Sequence, residues 1–313
     1  MALSPTALGI ASAMGASVAF SVNDMAIKFL SGDYALHQVI LIRSCLSVLL
    51  ILCIFLPLQG GLHLLRTRRP GIHLLRGICV VSANMCFFLG LSVLPLAEAV
   101  AIFFVSPLVI TVFSVVFLGE TVGPRRWAAV IVGLLGVIVI LRPGTEAFQP
   151  AALLVLLAAA LYAGLHTLTR HIGVTESAAS LAFYAQSMFI VVGIGFGLAM
   201  GDGRFAEFGG DGPLAFLFRG WVWPQGSDWA ILVLVGLSSG LGAFLISNAY
   251  KLCEAALAAP FEYIGLPMAV LWGGAVFGEW PDLLAWIGIS MILSGGVYMG
   301  YRETVLARQR ATQ

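Results

Sequence analysis

The chain reads as an all-α polytopic membrane protein, with ten transmembrane helices arranged as two inverted five-helix repeats. Three observations lead there: the composition, the number and length of the apolar runs, and a motif that occurs twice. Of 313 residues, 60% are hydrophobic and 10% charged, against about 45–50% and about 25% in soluble domains. A soluble globule has no interior for that much apolar surface. The net charge of +1 lacks the basic excess that a nucleic-acid partner demands, so none is expected.

A spanning helix takes about 20 mostly apolar residues. The runs are 7–30, 36–57, 72–94, 97–118, 126–141, 151–170, 178–200, 229–250, 255–277 and 282–301. They leave short connections and no room for a soluble domain. The N-terminus lacks the basic start and small-residue cleavage site of a signal peptide, so the first run is kept as a helix.

Lys and Arg set the orientation, because basic loops stay in the cytoplasm. With the N-terminus inside, the inner side holds eleven: Arg66, Arg68, Arg69, Arg76, Arg125, Arg126, Arg170, Lys251, Arg302, Arg308 and Arg310. The outer side holds four, Lys28, Arg142, Arg204 and Arg219, and Arg43 is left within the second span. Both termini are therefore expected in the cytoplasm. One connection is long, 201–228. Its Leu214–Phe218 stretch and its Trp221, Trp223 and Trp229 suit a segment lying at the headgroups of the outer leaflet.

Gly119-Glu120 closes the fourth run and Gly278-Glu279 the ninth. Each Glu is followed by a Trp seven residues on (Trp127, Trp286) and then by a Gly nine further (Gly136, Gly295), all at an offset of 159. Ala97–Ala99 matches Cys253–Ala255 at an offset of 156, and Asp24 with Lys28 matches His166 with Arg170 at 142. Each half then has five spans. An odd number inverts the second half, which gives 1–142 and 151–301 as repeats, 143–150 as linker and 302–313 as tail. Inverted repeats are the architecture of secondary transporters, whose two halves rock around one central site.

The sequences PLAEAVAIFFVSPLVITVFSVVFLGETVGPRRW, GLLGVIVILRPG and AAPFEYIGLPMAVLWGGAVFGEWPD resemble the EamA family of the drug/metabolite transporter superfamily, over 8–142 and 151–301. The resemblance implies a bacterial inner-membrane carrier of a small metabolite, such as an amino acid, a nucleotide-related compound, a vitamin or a drug. HLLRGICVVSANMCFFLGLSVLPL and APFEY also resemble the S-adenosylmethionine carriers of that family. The implied partners are a small-molecule substrate and the lipid bilayer.

Ionisable groups within a span are costly and usually face a cavity or a partner. Glu262, between Pro260 and Pro267, is the first candidate for substrate binding or coupling, because proline kinks a helix and frees carbonyls. Asp24 and Lys28 lie one turn apart and are expected to pair. Arg43 is placed to hold a substrate carboxylate or Glu262. His166, at the repeat position of Asp24, is the titratable candidate. Asn84 and Asn248 are polar points that reach ligand or bridge helices. Tyr184, Gln186 and Tyr263 are weaker cavity candidates, while Phe103, Phe104 and Phe261 read as packing.

Glu120 and Glu279 are expected to be solvated or bonded to a neighbouring helix end. Gly133, Gly136, Gly295 and Gly296 give small faces that would suit a homodimer contact. Cys45, Cys53, Cys79, Cys86 and Cys253 form no CxxC or Cys/His cluster, so no metal or redox cofactor is expected. No GxxxxGK loop for ATP and no HExxH pair is present, so neither an ATP-driven pump nor an intramembrane enzyme is expected.

Overall fold

The computed structural model describes residues 5–65, 67, 70–119, 122–172, 177–252 and 261–311. The side chains of Thr6, Leu118, His166, Leu168–Ile172, Ala178, Tyr250, Lys251 and 302–311 lie outside that description. The described residues are helical throughout, with short turns and no strand. Eight stretches are long and apolar enough to cross a membrane: Ala7–Leu30, Leu36–Gln59, Pro70–Leu91, Leu96–Phe117, Pro124–Leu141, Ala179–Met200, Asp228–Ala249 and Leu283–Tyr301. Two shorter apolar helices, Ala151–Leu165 and Gly265–Phe277, fall in the sixth and ninth expected runs. The chain is thus a polytopic all-helical membrane protein.

We label the helices α1 (Pro5–Leu30), α2 (Leu36–Leu50), α3 (Leu56–Gln59), α4 (Pro70–Leu91), α5 (Leu96–Phe103), α6 (Ser106–Leu118) and α7 (Pro124–Leu141). There follow α8 (Ala151–Ile172), α9 (Ala178–Met200), α10 (Ala206–Gly209), α11 (Pro213–Phe218), α12 (Asp228–Leu252), α13 (Gly265–Phe277) and α14 (Leu283–Ala311). Helix α2 continues into α3 through a wider π-turn at Ile51–Phe55. Pro57 lacks the N–H that Cys53 would accept, which loosens that turn. Helix α14 runs past the expected end at 301 as far as Ala311.

The fourth run differs from the single helix expected. It breaks at Phe104–Val105 into α5 and α6, because Pro107 offers no N–H to the Phe103 carbonyl. The ninth run breaks in the same way at Tyr263–Ile264, where Pro267 offers none to Tyr263. Both following helices have 13 residues. They end on glycines in the left-handed region, Gly119 at φ 66° and Gly278 at φ 69°, where a side chain would be strained.

Helix α1 packs on α12, α4 on α8 and α9, α2 on α9 and α12, α5 on α13, and α7 on α14. Inside lipid, apolar surface gives helices no reason to prefer each other, so association rests on close packing. The α7–α14 contact shows how close. A Cβ on Gly136 would lie 2.8 Å from the Gly288 carbonyl oxygen, and one on Gly288 would lie 2.7 Å from the Gly136 oxygen. Gly295 meets the Ala129 carbonyl at 2.9 Å and Gly133 meets Leu108 of α6. These small faces, expected to be available to a second copy, are instead occupied within the chain.

The long connection folds into α10 and α11 and is pinned to the turn between α1 and α2. Arg219 donates to the Ser31 and Tyr34 carbonyls at 2.7 and 3.2 Å. Gln38 bonds the backbone of Val222 in both directions, and Trp221 donates to His37 at 2.6 Å. Trp223 and Phe208 remain 77% and 74% exposed, so the segment caps the bundle end while holding apolar side chains outward.

Candidate functional site

The two helix breaks meet. The Phe104 ring stacks on that of Tyr263 with centroids 5.0 Å apart, and the Tyr263 hydroxyl donates to the Phe104 carbonyl at 3.4 Å. A break in a helix leaves backbone carbonyls without intrahelical donors, and within a membrane that is tolerated only inside protein or beside a cavity. Glu262 precedes Tyr263 in the ninth-run break. Its carboxylate acts electrostatically on Tyr263 and on Tyr162 of α8.

From Tyr162 a row of rings leads across the bundle. Tyr162 contacts Phe103 at 5.3 Å, Phe103 contacts Phe87 at 5.0 Å, and Phe87 contacts Phe88 at 5.3 Å. At the far end stands Arg43, only 2% exposed. Its guanidinium lies 5.5 Å over Phe88 and 4.8 Å over Phe189, a geometry that favours a desolvated cation. Arg43 Nε has no hydrogen-bond partner among the described residues. Asp24 accepts from Asn23 at 3.1 Å and interacts with Arg43 across space without closing to an ion pair. Asn84, half-buried on α4, precedes Phe87 and Phe88 by three and four residues and so shares their face. The arrangement is an aromatic row with a cation at one end and a carboxylate at the other.

The expected Asp24–Lys28 pair does not form. Lys28 Nζ instead donates to both carboxylate oxygens of Glu279 at 2.8 Å and to the Leu94 carbonyl at 2.6 Å. Helical spacing permits the local pair, but the packing of α1 on α13 brings a carboxylate that Lys28 engages through two donors. Glu279 also accepts the Leu96 N–H of α5 at 3.1 Å, matching the expectation that it bonds a neighbouring helix end.

Other predicted residues lie elsewhere. Tyr184 is near the start of α9, where its hydroxyl donates to the Leu65 carbonyl at 2.5 Å and its ring packs on His73. It holds a loop and does not join the central row. Gln186 donates to Ser239 of α12 at 3.1 Å, and Asn248 donates to Ser12 of α1 at 3.2 Å, so both bridge helices. His166 lies on α8 one turn beyond Tyr162, with its side chain outside the described residues, as are Glu120, Cys253 and Pro260. Phe87, Phe88, Phe189 and Tyr162 were not singled out by sequence as site residues. The motif offset carries Pro267 to position 108, one residue from Pro107, and that was the available signal for the matching break at Phe104.

Two polar contacts fix the bundle end near Lys28. The Tyr34 hydroxyl donates to Asp228 at 2.5 Å, and that carboxylate pushes the phenol's pKa up. Arg142 pairs with Asp282, holding its carboxyl below the usual range with help from the Ala285 N–H.

A bundle of helices long and apolar enough to span a bilayer, with opposite charges and aromatic rings buried in it, defines a polytopic integral membrane protein. The pattern of the EamA-like transporter family matches residues 7–142. The chain is 28% identical over 297 residues to the S-adenosylmethionine uptake transporter of Rickettsia felis, covering 95% of this chain and 94% of the relative. It is 30% identical over 251 residues to the riboflavin transporter of Rhizobium johnstonii, covering 80% and 77%. To the pseudopaline exporter of Pseudomonas aeruginosa it is 27% identical over 304 residues, covering 96% of each. A solved crystal structure shares its fold at a TM-score of 0.65, with 20% identity over 96% of this chain and 98% of the other. The chain belongs to the EamA-like transporter family of the drug/metabolite transporter superfamily. It is a multi-pass membrane protein with bacterial transporter relatives.

Proposed function

We propose that this protein is a secondary carrier moving a small polar or amphipathic metabolite by alternating access. The observation that carries the reading is the meeting of two helix breaks at Phe104 and Tyr263, with Glu262 directly before one of them. Carriers built from inverted repeats bind solute at such discontinuous helices near the midplane. The ten-helix, two-repeat reading has further support. Under exchange of the halves, first-on-eighth packing becomes sixth-on-third, and α1 does pack on α12 as α8 does on α4. The breaks also recur at the 159 offset.

Both termini are cytoplasmic in this reading, on the eleven-to-four bias of basic residues. The end bearing Lys28 then faces outward. Glu262 recognises or couples through its carboxylate, Asp24 and Arg43 orient a charged group, and the row Phe87–Phe103–Tyr162 takes a planar or apolar part of the solute. Relatives named for S-adenosylmethionine and riboflavin carry solutes of that kind. The test is a thermal-shift panel on purified protein with S-adenosylmethionine, riboflavin and a metabolite library. A ligand that binds the folded state raises Tm with concentration, and Glu262→Gln or Arg43→Met removes the shift. A shift retained in both variants contradicts the site.

A further inference from the structure

Lys28 is at the crossing of four segments. Its ammonium spends all three donors, two on Glu279 and one on the Leu94 carbonyl. Glu279 in turn accepts the first N–H of α5. Four pieces of chain are therefore tied at one point: α1, the turn before α5, α5 itself, and the end of α13. Two of these junctions join the first half of the chain to the second. Glu98, Arg142 and Asp282 are close enough to interact with this cluster.

The exposure of the pair is asymmetric. The Lys28 side chain is 8% exposed and that of Glu279 is 32% exposed. A pair buried at the centre of a bundle is hard to separate, because breaking it leaves an uncompensated charge. At the rim, water takes over the partly exposed Glu279 as the pair parts, while the Leu94 carbonyl still holds the buried Lys28 ammonium, so the closed and open arrangements differ less in energy than for a pair at the centre. That smaller difference is what a reversible gate requires. Sequence arithmetic adds a second element. Glu279 has Glu120 as its counterpart at offset 159, and Lys28 has Arg170 at offset 142. In each half the cation is on the first helix and the carboxylate follows the Gly that closes the fourth.

We propose that the Lys28–Glu279 pair is the latch of the outer mouth, closed in this structure. The inference rests on the alternating-access reading. Outward opening breaks the pair, and inward opening restores it.

The test reads access to Ser21, which lies on the Lys28 face of α1 about 10 Å deeper and accepts from Trp272 of α13. Ser21→Cys is introduced into the full chain, and intact cells are treated with a membrane-impermeant maleimide. The labelled peptide is quantified by mass spectrometry, which separates it from the five native cysteines. Lys28→Met and Glu279→Gln each raise the labelling rate roughly tenfold, as a minor outward-open state becomes populated. Glu279→Gln keeps an acceptor for Leu96, and Lys28→Arg keeps the charge and the slow rate.

Unchanged labelling in Lys28→Met and Glu279→Gln overturns the latch. An equal rise at Ile140→Cys, buried in the α7–α14 contact at the same bundle end, reports general loosening and overturns it too. Unchanged labelling in protein that still performs counterflow refutes the latch alone. Absence of saturable counterflow by the parent refutes the carrier reading instead.

Discussion

Gly296→Ala should damage the site from behind. Gly296 is on α14, against Tyr263. A Cβ there would fall 1.8 Å from the Tyr263 hydroxyl oxygen and 2.0 Å from its ring carbon Cζ, against 3.4–4 Å for ordinary contact. The ring must therefore move by at least 1.6 Å, the difference between 3.4 and 1.8 Å. Tyr263 is 4% exposed and stacked on Phe104, so it has little space to enter. Overpacking of this kind costs about 1–3 kcal/mol. The displacement also exceeds what the 3.4 Å bond from Tyr263 to the Phe104 carbonyl can absorb. A thermal unfolding scan in detergent, with Gly195→Ala as comparison, checks this. A Cβ on Gly195 meets nothing within 4 Å, so that change is neutral or stabilising by up to about 1 kcal/mol. Gly296→Ala lowers Tm and weakens ligand binding. Equal Tm values for the two variants would refute the reasoning about Tyr263.

Further expectations concern the charged groups. Arg43→Met removes the cation that faces Asp24 and costs about 2 kcal/mol, part of which Asp24→Asn restores in the double variant; a double-mutant cycle on Tm reads the coupling. Tyr34→Phe loses the bond to Asp228 and costs about 1 kcal/mol. Because that bond raises the phenol's pKa, its contribution is full below pH 10 and is lost as pH rises through the raised value. An alkaline titration of Tm therefore separates the parent from Tyr34→Phe only below that point. Asp282 shows the opposite sign. Its carboxyl is held low by Arg142, so its contribution is present above the ordinary carboxylate range and is lost as pH falls through the lowered value. Asp282→Asn should flatten the acid limb of the Tm profile.

The spans were legible because a bilayer leaves a strong one-dimensional signal, a run of about 20 apolar residues. The break at Phe104 was not, since AVAIFFVSPLV is apolar apart from Ser106 and only Pro107 marks it. Glu262 was legible as a costly charge beside prolines. Its neighbours were not, because the row Phe88–Phe87–Phe103–Tyr162 is assembled from α4, α5 and α8. Periodicity within one helix says nothing of rings that meet across helices. Lys28 illustrates the same limit. The helical rule offers Asp24 four residues away, whereas the partner chosen is 251 residues distant. The glycines of α7 and α14 were visible as small faces, but their mutual use needed the crossing of those two helices.

The central claim is that solute crosses by alternating access through the site containing Glu262. Counterflow in proteoliposomes tests it most directly, with radiolabelled S-adenosylmethionine outside and the unlabelled compound inside, or with the ligand that the thermal-shift panel selects in its place. The account predicts a transient accumulation of label that saturates with concentration, needs no ATP, and is lost in Glu262→Gln protein that retains the parental Tm. A flux that rises linearly without saturation, or full counterflow by Glu262→Gln, would contradict it.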